Sequence, residues 1–321
     1  MNKKTLVNLY HSMLRIRLVE MEIAKRYSEW KMRCPTHLSI GQEIAGSVVG
    51  MLVNDNDYAV SSHRSHAHYL GKGGNLNQLI AELYGKETGC SGGRGGSMHL
   101  IDDSVGFKAS SAIVGNSIPI GVGLGLSIQL NKSNQISCIF FGDGATEEGV
   151  FYESLNFSAV RELPILYICE NNLYSVYSPL SVRQPNKRKI FEMVDSIGIE
   201  SNHFEGTDSI EVYKAVEKVI KKIRSKGKPQ FIEISTYRWL EHCGPNDDND
   251  IGYRDTKEFE MWKNNDPILN LERYLKSNEV LTDVLINSMK KEIEKEINEA
   301  FIFAENSSFP AQNTLYDFIY K

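Results

Sequence analysis

The sequence predicts an α/β protein built on a doubly wound, mostly parallel sheet flanked by helices. Three observations predict it. The short apolar runs ISCIFF (136–141), LPILYIC (163–169) and QFIEIST (230–236) have the length and unbroken hydrophobicity of strands buried on both faces. Beside them, EEGVFYESLNFSAVRE (147–162) and EVYKAVEKVIKKIRSKGKP (211–229) carry helical spacing, the second ending at Gly227 and Pro229. Strand and helix therefore alternate, as parallel strands joined by crossover helices require.

The remaining elements follow in order. Residues 5–30 have helical periodicity, and the apolar run at the start is broken by His11, Arg15 and Arg17, which does not make a secretory leader. DYAVSSHRSHAHYLGKGG (57–74) reads as a short strand entering a His- and Gly-rich loop, followed by a helix at 76–86. A second glycine-rich segment, GCSGGRGGSMHL, covers 89–100. In IVGNSIPIGVGLGLSIQL (113–130) the glycines at 121, 123 and 125 predict a buried helix packed very close to a neighbour, because glycine otherwise weakens a helix. A charged amphipathic helix spans 281–300. No repeat, linker or low-complexity tract interrupts the chain, so residues 1–321 read as one domain with helical N- and C-terminal extensions.

Composition narrows the function. With 41% hydrophobic and 24% charged residues among 321, the chain has the make-up of a globular protein rather than a disordered one. A formal net charge of −5 disfavours a nucleic-acid surface, and no apolar run is long enough to span a bilayer. Cys34, Cys90, Cys138, Cys169 and Cys243 show no CxxC spacing, which fits a reduced, cytoplasmic setting.

The chemistry concentrates at two turns. FFGDGATEEGV (140–150) follows one predicted strand, and ENNLY (170–174) ends the next. If the intervening helix is a crossover, both turns open on the edge of the sheet where ligands of open α/β folds bind. A carboxylate, an amide oxygen and a main-chain carbonyl form the oxygen set of a hard divalent cation, which in turn holds phosphate oxygens. Glu147 and Glu148 read instead as helix-start residues favoured by the dipole.

The run from GDG to NN (142–172) resembles the thiamine-diphosphate motif. The surrounding chain, from about residue 7 to about residue 275, is similar to the alpha subunit of the decarboxylating component of 2-oxo acid dehydrogenase complexes, a group that includes pyruvate, branched-chain 2-oxo acid and acetoin dehydrogenases. The other matching stretches are HLSIGQE (37–43), SSHRSHAHYL (61–70), GGRGGSMH (92–99), IVGNSIPIGVG (113–123) and STYRWLEHCGPNDDNDIGYR (235–254).

The resemblance implies a thiamine-diphosphate-binding fold with magnesium held by Asp143, Asn172 and the main-chain carbonyl of Tyr174. It implies Gly144 and Ala145 along the diphosphate, Arg64 on its oxygens with His63 beside it, and Ala112 and Val114 against the aminopyrimidine. His37 and His242 match the two active-site histidines. A beta subunit supplying the activating glutamate, a heterotetramer and a lipoyl-bearing acyltransferase are the implied partners. The implied reaction is decarboxylation of a pyruvate-like 2-oxo acid with acyl transfer to the lipoyl group. Acetoin cleavage, ketol transfer without a lipoyl partner, and a non-catalytic cofactor-binding subunit remain alternatives.

The chain also departs from the pattern. His63 stands where pyruvate-type chains commonly carry tyrosine, and YRWLEHC replaces YRxHGHS, placing Leu240, Glu241 and Cys243 around His242. The serine modified by kinases in some relatives is absent, so that control is not expected. Glu241 either raises the His242 pKa or stands solvated. A zinc site from His63, His66 and His68 lacks metal spacing. NDDNDIGYR lacks the closing glutamate of a calcium loop and reads as a solvated, mobile loop over the site. GGRGGS lacks the ending of a P-loop and reads as flexible loop or close backbone packing.

Overall fold

The computed structural model describes residues 1–317. The chain opens with helix α1 (Lys3–Arg26), extended by a 3-10 turn, and α2 (Glu43–Leu52). Strand β1 (Tyr58–Ser61), helices α3 (His66–Gly71) and α4 (Leu76–Leu83), and strand β2 (Phe107–Ser110) follow. The central block is α5 (Ser117–Leu130), β3 (Ser137–Gly142), α6 (Gly149–Arg161) and β4 (Ile165–Asn171). A small antiparallel pair, β5 (Tyr174–Ser175) and β6 (Ser178–Pro179), leads into α7 (Leu180–Arg183) and α8 (Ile190–Ser196). Strand β7 (Glu200–Glu205), α9 (Ser209–Lys226), β8 (Gln230–Ser235), α10 (Thr256–Asn264), α11 (Pro267–Ser277) and α12 (Asp283–Asn306) complete it.

Six strands form one sheet in the order β2-β1-β3-β4-β8-β7, and every pairing within it is parallel. The expected doubly wound sheet is therefore present. Strands β3 and β4 are neighbours in register from Ser137↔Ile165 to Gly142↔Glu170, which brings GDG and NN to the same edge. Strand β1 pairs with β2 on one side and β3 on the other, so the winding reverses between β1 and β3. At such a reversal the loops after neighbouring strands part and leave a crevice outside their carboxyl ends.

Alternation explains the unbroken apolar runs. In β3, Cys138 and Phe140 join the core packed by α1, α2, α4 and α9, while Ile139 and Phe141 join the core packed by α5 and α6. Helix α5 lies very close to the sheet: a Cβ at Gly121 would sit 2.3 Å from Ile139, and one at Gly125 would sit 2.6 Å from Ile165. Gly123 points outward and meets nothing, so the close packing predicted for three glycines holds for two.

Two glycine- and histidine-rich stretches differ from their sequence reading. Residues 66–71, expected as loop, form α3, because both buried histidines find partners inside the fold. His66 bonds Glu20 and Ser97 at 2.7 and 2.8 Å, and His68 bonds Ser61 at 2.7 Å and stacks on Phe140. The segment GGRGGS wraps a carboxylate of its own chain. The backbone N–H groups of Ser91, Gly93, Gly95 and Gly96 donate to the buried Glu82 side chain at 2.8, 2.9, 2.6 and 3.1 Å. Successive N–H groups curled around an anion form a backbone nest.

The terminal helices are fastened to each other, with Arg15 of α1 donating to Glu296 of α12 at 2.6 and 2.8 Å. No helix among the described residues is long and apolar enough to cross a membrane.

Candidate active site

Strand β3 ends at Gly142, and Asp143 opens a 3-10 turn (Asp143–Glu147) before α6. The Asp143 carboxylate is buried, accepting from the Asn172 backbone N–H at 3.3 Å and from the guanidinium of Arg183. Burial pushes its pKa above the usual carboxylate range, and Arg183 opposes that rise. After β4, Asn172 turns its side-chain oxygen onto the Tyr174 N–H at 3.1 Å and donates to Gln42 at 3.0 Å. Asp143, Asn172 and the Tyr174 turn thus converge although they come from different strand ends. Gly144 lines the cleft, and it packs so close to Ser175 that a Cβ there would lie 2.8 Å from Ser175 Oγ.

Arg183 was not foreseen in the sequence. It lies on α7, forty residues after Asp143, and forks between Asp143 and Glu147. Glu147 is consequently an ion-pair partner in the 3-10 turn rather than part of the α6 first turn, whereas Glu148 is the α6 N-cap residue.

The second half of the site is assembled at the end of β1. Arg64 is buried and donates to the main-chain oxygens of Leu38 and His242, the latter at 3.1 Å. Burial, with Arg238 nearby, lowers its pKa to about 9, so the guanidinium remains charged at pH 7. The segment carrying His37 runs beside the one carrying His242: Trp239 donates to the Ile40 carbonyl at 3.2 Å and Gly244 to that of Thr36 at 2.9 Å. Arg17 braces this pairing from α1, forking between Glu43 and Asp266 and stacking 3.9 Å over Trp239.

These contacts draw three imidazoles together. Ring centroids are 4.5 Å apart for His37 and His63, 4.9 Å for His37 and His242, and 5.3 Å for His63 and His242. All three are held neutral. Burial, reinforced by Arg64 and the neighbouring rings, pushes His37 down to about 2, and burial with Arg64 lowers His63 to about 4. His242 falls to about 3 through burial, Arg64, His63 and Arg238. Glu241 does not raise it: its carboxylate turns away to accept from the Asn246 N–H and side chain at 2.9 and 2.7 Å.

His63, Arg64, Val114, Asp143, Gly144 and Ala145 line one cleft, together with Asn172, Tyr174 and His242. Gln42, Glu170 and Val176 also line it. His37 sits behind its partner rings, and Ala112 is half-buried outside the lining set. Among the residues not anticipated, Gln42 could have been found from its place in HLSIGQE, whereas nothing local marks Arg183. The zinc reading of His63, His66 and His68 does not correspond to one site, since His66 and His68 are engaged elsewhere. The NDDNDIGYR loop is solvated at Asp247 and Asp250, as expected, but is pinned at Asp248. Asp248 is buried and accepts from Arg254 at 2.5 Å and from the Tyr253 hydroxyl at 2.6 Å.

The sequence profile of the family described as "Dehydrogenase E1 component" matches residues 11–313. "Pyruvate dehydrogenase E1 component subunit alpha" of Rickettsia bellii (strain RML369-C) is 34% identical over 318 residues, covering 99% of this chain and 96% of that relative. The protein of the same description from Porphyra purpurea is 31% identical over 327 residues, covering 100% and 94%. "Pyruvate dehydrogenase E1 component subunit alpha-3, chloroplastic" of Arabidopsis thaliana is 30% identical over 320 residues, covering 98% and 74%. On this profile match and on the likeness to alpha subunits along nearly its whole length, the chain belongs to the dehydrogenase E1 component family.

Proposed function

We propose that this chain is the alpha subunit of a thiamine-diphosphate- and magnesium-dependent 2-oxo acid dehydrogenase. In this reading it decarboxylates a pyruvate-like acid and passes the acyl group to a lipoyl partner. The observation that carries the proposal is the convergence of Asp143 and Asn172 at the ends of adjacent parallel strands, beside a glycine turn open to the cleft. Their donor set suits a hard cation, and the Gly144 backbone, which lines the cleft without a side chain, suits close approach by a diphosphate. When bound, thiamine diphosphate supplies a thiazolium ring that stabilises the carbanion left by carbon dioxide.

The chain's own groups then have defined tasks. Asp143, the Asn172 side-chain oxygen and the Tyr174 carbonyl hold the cation. Arg64 contributes fixed positive charge toward the diphosphate oxygens, and Gly144 and Ala145 line them with backbone. His242, with His37 behind it, offers a neutral imidazole that donates or accepts a proton at the reacting oxygen.

A beta subunit at the mouth of the cleft, within a heterotetramer, is part of the proposal. Ile113, Val114 and Val176 are 68%, 46% and 42% exposed, and the last two line the cleft itself. Apolar side chains open to water beside a polar site are what a covering partner would bury.

The test is the chain co-purified with its beta partner, titrated with thiamine diphosphate at varied magnesium. Binding should require the metal and weaken at least tenfold in Asp143→Ala; equal binding by that variant would overturn the assignment. Assays with pyruvate, branched 2-oxo acids and acetoin, using an artificial electron acceptor, then rank the substrates.

A further inference from the structure

We propose that His37, His63 and His242 form a second metal site, selective for a late first-row transition ion such as Zn2+ and distinct from the oxygen site at Asp143. One nitrogen from each ring lies within 4.8 Å of the other two, the only such convergence of potential ligand side chains among the described residues. Three atoms so disposed lie within about 2.8 Å of a common centre, against a zinc–nitrogen bond of about 2.0–2.1 Å. Inward shifts of roughly 0.7 Å per ring close the gap, which small side-chain rotations supply.

A second observation points to a ligand. The Nδ1 of His37 is buried and has no hydrogen-bond partner among the described residues, although the residue is only 7% exposed. Buried polar atoms are normally satisfied, so an unpartnered imidazole nitrogen beside two other imidazoles suits a metal bond. The scaffold is preorganised: the Trp239–Ile40 and Gly244–Thr36 backbone bonds set the His37 and His242 segments side by side, and Arg64 ties both to the strand end that carries His63.

Donor chemistry separates the two sites. An all-imidazole set favours zinc, copper and nickel, whereas magnesium prefers carboxylate and carbonyl oxygen. Arg64 lies close enough to oppose a cation, which weakens binding without changing that preference. His63 is the ligand whose replacement tests the set, since a tyrosine in its place presents no imidazole. Three protein ligands leave a fourth position for water or a substrate oxygen. Occupancy ties up His37 and His242, so the ion inhibits turnover. That consequence rests on the thiamine-diphosphate reading; the binding does not.

The experiment is a Co2+ titration of the full 321-residue chain in excess magnesium, followed by visible absorption, with Zn2+ as competitor and circular dichroism to verify folding. The expected result is one ion per chain, displaced by Zn2+, with at least tenfold weaker binding in His37→Ala and in His63→Tyr. Asp143→Ala should bind Co2+ as the wild type does. Absence of stoichiometric binding, or binding undiminished in folded His63→Tyr, overturns the proposal. Loss of thiamine-diphosphate binding in Asp143→Ala with Co2+ binding retained shows the two sites to be separate. Failure of thiamine-diphosphate binding in the wild-type complex would remove the functional reading and leave the metal site standing.

Discussion

Arg183 donates its guanidinium to the carboxylate of Asp143, the acid that heads the turn after β3, and reaches Glu147 with its other arm. A buried carboxylate costs several kcal/mol to desolvate, and this arginine provides the opposing charge within the chain. The same carboxylate is the cation ligand of the proposed function, and on that assignment Arg183 and a divalent ion would act on one group.

Arg183→Gln should destabilise the metal-free chain by about 3 kcal/mol, the usual cost of leaving one partner of a buried pair alone. Millimolar magnesium should restore more stability to the variant than to the wild type, because the ion replaces the lost charge. Urea unfolding with and without magnesium reads both quantities. An equal loss at every magnesium concentration would mean that Arg183 and the ion do not share Asp143.

The Glu82 carboxylate is the anchor of the glycine-rich loop, accepting four backbone N–H bonds. Glu82→Ala leaves those part-buried donors without their acceptor, so a stability loss of about 3 kcal/mol is expected. Protease cleavage within residues 89–97 should become faster, since the nest no longer has an anion to close around. Unchanged cleavage would show that packing alone holds the loop.

The three clustered histidines carry a pH signature. Their folded pKa values of about 2, 4 and 3 lie below the ordinary 6.5. The unfolded chain therefore binds protons below about pH 6.5 that the folded chain refuses. The stability they contribute is present above that pH and is lost as pH falls toward their folded values. In His63→Tyr the dependence between pH 6 and pH 4.5 should flatten by up to about 1.4 kcal/mol per pH unit, one proton's worth. Thermal or urea unfolding across that range measures it, and parallel curves for variant and wild type would contradict it.

Arg64→Lys keeps the charge and loses the fork that spans the Leu38 and His242 carbonyls. Thiamine-diphosphate affinity should fall on the order of tenfold to a hundredfold, and the His242 loop should become more accessible to hydrogen exchange. Protection of residues 239–244 equal to that of the wild type would show that Arg64 does not position the loop.

Much of the architecture was legible because it rests on local pattern. The runs containing Ile139 and Ile168 announced strands buried on both faces, the spacing in 211–226 announced α9, and GDG and NN fell at strand ends as expected. Residues 66–71 were misread because their helix depends on distant partners, with Glu20 and Ser97 satisfying His66. The NDDNDIGYR loop was legible in part: Asp247 and Asp250 are exposed as expected, but the burial of Asp248 against Arg254 depends on the tertiary fold.

By itself the sequence determined the alternation of strand and helix and the two turns that face one another across β3 and β4, since hydrophobic period and turn residues act over a few positions. Only the tertiary structure decided that Arg183 answers Asp143, that Glu241 turns from His242, and that His63 leaves its sequence neighbours to join His37 and His242. The reason is physical. Those contacts link residues far apart in the chain, and they exist only once the sheet has brought its strand ends, and the loops beyond them, into one crevice.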